Sequence, residues 1–114
     1  MPYIAINTTE KLSDAQKETV KAELGRLVTI IHGKTEANLF IDISDSRTMY
    51  RAGKSISGAF VDLRLWRQSE FEGKKQFTES TLEMLSRELG LSKENIWLNI
   101  MELDTWGNNG TLMA

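Results

Sequence analysis

The sequence contains no cysteine, one proline, one histidine and no long apolar stretch. Without cysteine the chain can form no disulfide bond, no thiolate metal site and no thiol-based redox centre. With His32 as the single histidine, a zinc site would need carboxylates at unusual spacing, so we predict neither a metal nor another cofactor. A membrane-spanning helix needs about 20 consecutive apolar residues, and Met1 to Ile6 lacks the basic segment of a secretory signal. We therefore expect a cytoplasmic protein.

The charge of the chain is small and negative. Fourteen lysines and arginines against 16 aspartates and glutamates give a net charge of −2. A nucleic-acid-binding domain of this size should carry a basic stripe, whereas lysine and glutamate alternate along the first predicted helix. The length of 114 residues and the 40% hydrophobic content suit one globular domain over residues 1–114. We expect it to bind neither nucleic acid nor membrane.

Helical spacing of apolar residues predicts two helices, and short β-prone segments, one of them with clear alternation, predict four strands. The strands are predicted at 3–7, 39–43, 59–66 and 96–103, and the helices at 13–33 and roughly 72–89. Ser13 followed by Gln16 has the form of a capping box, and Gly33 and Gly90 are typical helix ends. Spacings of three and four residues predict the buried helix faces, which are formed by Val20, Leu24, Leu27, Val28 and Ile31 in the first helix and by Phe77, Leu82, Leu85 and Leu89 in the second.

The two halves of the chain, 1–57 and 58–114, align without a gap at an offset of 57 residues. The order βαβ-βαβ then predicts an α+β domain, a four-stranded sheet with both helices on one face. The other face carries apolar side chains and has no covering element. Because a monomer rarely exposes so large an apolar face, we expect a partner subunit to cover it.

Four segments together resemble the tautomerase superfamily, and within it the macrophage migration inhibitory factor branch (phenylpyruvate tautomerases). They are Met1-Pro2-Tyr3-Ile4, Val28 to Lys34, Asn95 to Asn99, and Trp106 to Thr111. The resemblance covers almost the whole chain in order and length. It implies a homotrimer with an active site at each subunit interface, built around an N-terminal proline.

The resemblance implies that Pro2 is the catalyst. Once Met1 is removed, Pro2 carries a secondary amine whose direction is fixed by its ring. An apolar interface and a nearby cation would lower the pKa of this amine, so that it could move a proton between the carbon and oxygen of a 2-oxo acid. The structural alternative is that Pro2 only begins an edge strand, where its missing N–H costs nothing.

The resemblance also implies the substrate-binding residues. Lys34 would bind a carboxylate, the backbone N–H of Trp66 would hold a substrate oxygen, and Trp97 with Asn99 would frame the ring from a neighbouring subunit. Trp97 replaces the family's tyrosine, which removes a hydroxyl donor. The structural alternatives are a solvated helix-end cation for Lys34 and core packing for Trp97.

Three arginines keep a second activity open. Related dehalogenase and decarboxylase branches pair proline with arginines near the end of the third strand. Strand alternation places Arg64 on the same side as Trp66. The structural alternative for Arg51, Arg64 and Arg67 is that all three are simple exposed charges. The sequence thus predicts a proline-dependent keto–enol tautomerase of a phenylpyruvate-like acid. The alternatives are a proline- and arginine-dependent dehalogenase or decarboxylase, and a non-catalytic signalling protein of this fold.

Overall fold

The computed structural model describes all 114 residues. The α-helices are α1 (Asp14–Leu27) and α2 (Phe71–Leu89), and three short 3-10 segments cover Val28–Ile30, Glu36–Asn38 and Lys93–Asn95. The strands are β1 (Pro2–Thr8), β2 (Phe40–Ser44), β3 (Tyr50–Arg51), β4 (Lys54–Ser55), β5 (Ala59–Trp66), β6 (Ile96–Leu103), β7 (Trp106–Asn108) and β8 (Thr111–Met113). Neither α-helix has the length and apolarity that crossing a lipid bilayer would require.

Four of the strands form one mixed sheet in the order β2-β1-β5-β6. β1 runs parallel to β2 and β5 runs parallel to β6, each pair being connected through a helix. The two central strands, β1 and β5, pair antiparallel. The predicted α+β fold is therefore confirmed. Two small hairpins, β3-β4 and β7-β8, add to it and were not predicted.

The hydrophobic core lies between the two helices and one face of the sheet. Alternate residues of the central strands point into it, namely Ile4, Ile6, Val61, Leu63 and Leu65, all at most 1% exposed. The residues that helical spacing predicted to be buried are buried, except Leu82, which is only partly buried. Thr81 and Met84 of α2, which were not predicted, are fully or almost fully buried. Register and burial thus place the odd residues of β5 inward and its even residues outward.

The helix ends follow local chemistry. The Ser13 side chain accepts a hydrogen bond from the Gln16 backbone N–H, and the Gln16 side chain accepts one from the Ser13 N–H, which completes the predicted capping box. The first helix was expected to reach Gly33, but its α-helical part ends at Leu27 and continues as a 3-10 turn. The segment 28–31 is rich in β-branched residues, which lose rotamer freedom in an α-helix. The second helix ends as predicted at Gly90, with φ +67°.

The second face of the sheet is not covered by any helix. It presents aromatic and apolar side chains such as Phe40 (69% exposed), Trp97 (55%) and Met101 (44%). Polar residues lie between them and pair with one another: Tyr3 donates to Asp42 at 2.9 Å, and the Asn99 amide donates to Asp62. We call this surface the open face. Its mixture of apolar and internally paired polar groups is typical of a subunit interface.

Candidate active site

The N-terminal end of β1 lies beside a cleft of about 770 Å³. Met1, Pro2 and Tyr3 line this cleft together with Leu103 and Trp106 from the C-terminal part of the chain. Pro2 itself is buried and pairs in register with Leu65 of the central strand β5. The cleft therefore gives an otherwise buried strand end access to a small molecule.

Met1 occupies the space in front of the Pro2 nitrogen. Its carbonyl oxygen accepts a hydrogen bond from the Trp66 backbone N–H at 3.4 Å. Burial, and after it the positive charge of Lys34 and a hydrogen bond with that side chain, lower the pKa of the Met1 α-amino group. The charged form of the Met1 α-amino group is thus disfavoured.

Lys34 reaches this position because the chain turns sharply after α1. Gly33 adopts a left-handed conformation (φ +79°), and the Lys34 N–H donates to the Ile31 carbonyl at 3.1 Å. The half-buried Lys34 ammonium lies 3.4 Å from the carbonyl oxygen of Trp66. No carboxylate lies within 4 Å of it, since none of the six ion pairs includes Lys34. The fold thus brings Pro2, Lys34 and the Trp66 backbone together.

Arg64 also lines the cleft, from the open face of β5. Its guanidinium carbon lies 5.6 Å from the ring centroid of Tyr3, the residue opposite it in register. The hydrogen bond from Tyr3 to Asp42 raises the pKa of the Tyr3 phenol, so the ring remains neutral beneath the cation. Arg64 forms no ion pair and is free to meet an anion in the cleft.

Trp97 and Asn99 do not lie with Pro2 in the same chain. In register, Trp97 pairs with Phe60, five residues before Leu65, the residue opposite Pro2. At about 3.3 Å per residue, Trp97 is roughly 17 Å from that end along the strands, and Asn99, which pairs with Asp62, is roughly 10 Å from it. Trp97 lines a separate cleft of about 540 Å³, where the Arg51 guanidinium carbon lies 5.5 Å from its ring centroid.

The remaining arginine, Arg67, organises the C-terminal end of the chain. Its guanidinium carbon lies 4.3 Å from the centroid of the Trp66 ring, and it donates to the Ala114 carbonyl at 2.7 Å. The Trp66 indole donates to the Asp104 carbonyl at 3.3 Å. The Trp66 side chain is therefore held by the C-terminal part of the chain, while its backbone faces Met1 and Lys34.

Glu102 and Lys74 also lie near this site, and sequence reasoning did not select them. The Glu102 carboxylate accepts from the Lys74 ammonium at 2.7 Å and from the Ser69 backbone N–H at 2.6 Å. Alternation along β6 could have revealed Glu102, because it shares the inward phase of Ile96, Leu98 and Ile100. A carboxylate in that phase needs a partner. No three histidine, aspartate or glutamate side chains are grouped so that they could hold a metal ion.

Comparisons with known proteins agree with the fold. The family model described as macrophage migration inhibitory factor (MIF) matches residues 1–114. The fold is similar to that of MIF2 from Leishmania major, with a TM-score of 0.91, 22% identity, and coverage of 99% of this chain and 97% of that chain. The MIF-like protein of Entamoeba histolytica has a TM-score of 0.85 and 18% identity, and the match covers 98% of each chain. A fused 4-OT described as an asymmetric trimer has a TM-score of 0.85 and 15% identity, and the match covers 96% of this chain and 94% of that chain. Among curated protein sequences, none matches the chain. Because the family model spans the whole chain, the protein belongs to the macrophage migration inhibitory factor family.

Proposed function

We propose that this protein is a keto–enol tautomerase of a phenylpyruvate-like 2-oxo acid, with Pro2 as its acid–base catalyst. The observation that carries the proposal is the end of β1, where burial and Lys34 together lower the pKa of the Met1 α-amino group, one residue before the Pro2 nitrogen. A general base works best when its pKa lies near the working pH. Membership of the MIF family and the cleft beside Pro2 support the same assignment.

Removal of Met1 would change the site in two ways at once. It would convert the Pro2 nitrogen from an amide into a secondary amine, and it would release the Trp66 N–H from the Met1 carbonyl. The position of that carbonyl oxygen marks where a substrate oxygen could accept the same hydrogen bond. The space that Met1 vacates is continuous with the cleft that it lines.

The reaction then needs only one proton carrier. The neutral Pro2 amine takes a proton from the carbon next to the ketone, and the electron pair of that C–H bond moves onto the ketone oxygen as the double bond shifts. The resulting ammonium returns the proton to this oxygen, which gives the enol; ketonisation is the reverse. Lys34, which has no carboxylate partner in the chain, binds the substrate carboxylate and stabilises the charge that develops beside it.

The proposed assembly is a homotrimer in which Trp97 and Asn99 of one subunit complete the Pro2 cleft of the next. The uncovered open face supports an assembly through the sheet. Within one chain Trp97 lies roughly 17 Å and Asn99 roughly 10 Å from the Pro2 end along the strands, a separation that a second subunit would bridge. The fused 4-OT of similar fold is itself described as a trimer.

The direct test compares three forms of the protein on phenylpyruvate. The form lacking Met1, identified by intact mass, should be active, whereas a form retaining Met1 should be inactive because its Pro2 nitrogen is an amide. Pro2→Ala without Met1 replaces the secondary amine by a more flexible primary amine and should lower kcat/KM by about 10²-fold or more. Equal activity of the Met1-retaining form would remove Pro2 from the mechanism.

A second candidate reaction is supported by Arg64, which lines the same cleft as Pro2. A cation there could bind the carboxylate of a 3-halo or 3-carboxy acid in a proline-dependent dehalogenase or decarboxylase. Arg64→Ala and Lys34→Ala should therefore be compared on a panel of 2-oxo, 3-halo and dicarboxylic acids. Loss of turnover in Arg64→Ala but not in Lys34→Ala would favour the second reaction.

A further inference from the structure

The Lys34 ammonium is unpaired although a carboxylate lies in its neighbourhood. Lys34 donates to the Trp66 carbonyl on β5, and the next strand, β6, carries Leu103 opposite Trp66 and Glu102 opposite Leu65. The charge of Lys34 is one of the influences that lower the pKa of Glu102, after the hydrogen bond from Lys74 and the one from the Ser69 N–H. The two side chains therefore interact electrostatically without forming an ion pair.

Both oxygens of Glu102 are engaged by other groups. Oε1 accepts from the Lys74 ammonium and Oε2 accepts from the Ser69 backbone N–H. The side chains of Lys74 and Glu102 are only 16% and 21% exposed, so this pair is more shielded from water than the other ion pairs of the chain. Ser69 and Lys74 flank the start of α2, which fixes both donors relative to the sheet.

We propose that Lys74, together with the Ser69 N–H, holds the Glu102 carboxylate away from Lys34 and so keeps the Lys34 ammonium free for an anionic ligand. Lys74 is thus a positioning residue that acts through Glu102. The inference rests on the proposed function in one respect, the use of Lys34 as the carboxylate-binding group.

The physical reason is competition for one cation. A partly buried carboxylate that loses its counter-charge is strongly driven to find another. The next charged groups along this side of α2, Lys75 and Glu79, pair with each other at 3.1 Å. Lys34 is then the available cation for Glu102, and an internal ion pair there would exclude a substrate carboxylate.

The test measures binding of two probes by calorimetry or NMR, phenylacetate as the anion and methyl phenylacetate as its neutral counterpart. Lys74→Met should weaken phenylacetate binding by roughly three- to tenfold, as expected for the loss of one charge contact. Binding of the ester should not change. Lys74→Arg should restore anion binding, and Lys75→Met, which removes a neighbouring exposed lysine, should have no effect.

The variant Glu102→Gln separates competition from simple loss of structure. In the Lys74→Met background it should restore phenylacetate binding, because the competing charge is gone, whereas a merely structural role would make the double variant worse. Glu102→Gln alone should bind phenylacetate at least as tightly as the unmodified protein. If Lys74→Met does not fold, phenylacetate binding by Glu102→Gln alone tests the inference. Weaker binding by Glu102→Gln, or unchanged binding by a folded Lys74→Met, would overturn the inference.

Because the probes bind without turnover, this result is independent of the proposed reaction. If Pro2→Ala retained full tautomerase activity while the Lys74 series behaved as described, the proposed function would fail and the positioning role would stand. If Pro2→Ala lost activity but the Lys74 variants bound phenylacetate normally, the proposed function would stand and the positioning role of Lys74 would fail.

Discussion

At the scale of single residues, the Met1 α-amino group and Lys34 interact electrostatically at the end of β1, beside the proposed site. Their proximity depends on the left-handed Gly33, which turns the chain toward the end of β1. A cation beside an amine favours the neutral form of that amine, and removing the cation must therefore raise the amine pKa. The direction of this pKa shift can be measured directly.

Lys34→Met is expected to move the acid limb of the pH dependence of kcat/KM to higher pH, because a smaller fraction of Pro2 is then neutral at a given pH. It should also raise KM for carboxylate substrates. Stopped-flow or steady-state assays of phenylpyruvate across pH provide the measurement. Lys54→Met, an exposed lysine in the β3-β4 hairpin, is the matched control. An unshifted acid limb would mean that Lys34 does not influence the pKa of the Pro2 amine.

Ser13 is a residue whose contribution to stability is local. Its side chain satisfies the Gln16 N–H at the start of α1, while Ser92, before the 3-10 turn at Lys93, makes no such bond. Ser13→Ala should therefore lower the free energy of unfolding by about 1 kcal/mol. Ser92→Ala should leave it nearly unchanged. Urea denaturation of both variants makes the comparison.

At the scale of elements, close approach of loops to the sheet determines which small residues are required. A Cβ on Gly58, just before β5, would lie 2.6 Å from the Asn95 carbonyl oxygen. Gly58 is also held by Thr9, whose backbone N–H donates to the Gly58 carbonyl at 3.0 Å. The connection into β5 thus packs directly on the connection into β6 and has no room to adjust.

Two glycine variants compare a position packed against backbone with one packed against a mobile side chain. Gly58→Ala should destabilise the protein by about 1–3 kcal/mol, because the backbone of Asn95 must move. The three atoms nearest to a Cβ on Gly25, within α1, all belong to the exposed side chain of Glu36, which can rotate away. Gly25→Ala should therefore be neutral or stabilise by up to about 1 kcal/mol through helix propensity. Thermal or urea unfolding that ranked the two variants in the opposite order would contradict the packing argument.

At the scale of the whole molecule, the division of the proposed site between subunits has a distinctive consequence. Pro2→Gly and Asn99→Ala should each impair activity when tested alone. Refolding them together in equal amounts should restore activity, because Pro2 of one variant can meet Asn99 of the other across an interface. If subunits mix at random, about a quarter of the sites are intact. No gain above the sum of the separate variants would show that each chain builds its site alone.

Much of the architecture could be predicted from the sequence because its signals are local. The predicted bounds of β5, which rest on alternation, and of β6 match the observed ones, and the capping box and Gly90 marked two helix ends. The two short hairpins were not predicted, since strands of two and three residues are too short to show a periodicity. The α1 end was extended too far because an apolar spacing does not distinguish an α-helix from the 3-10 turn that continues it. The internal duplication stays a prediction.

What the sequence by itself determined is the order of the long elements, the helix ends marked by Ser13 and Gly90, and most of the inward-facing residues, because helix and strand periods and helix caps are set by neighbours along the chain. Only the tertiary structure decided that Lys34 meets the N-terminal amine, that Lys74 and Ser69 hold Glu102, and that Trp97 lies at the far end of the sheet from Pro2. These relations join positions tens of residues apart. They depend on strand register and loop path, which no local pattern encodes.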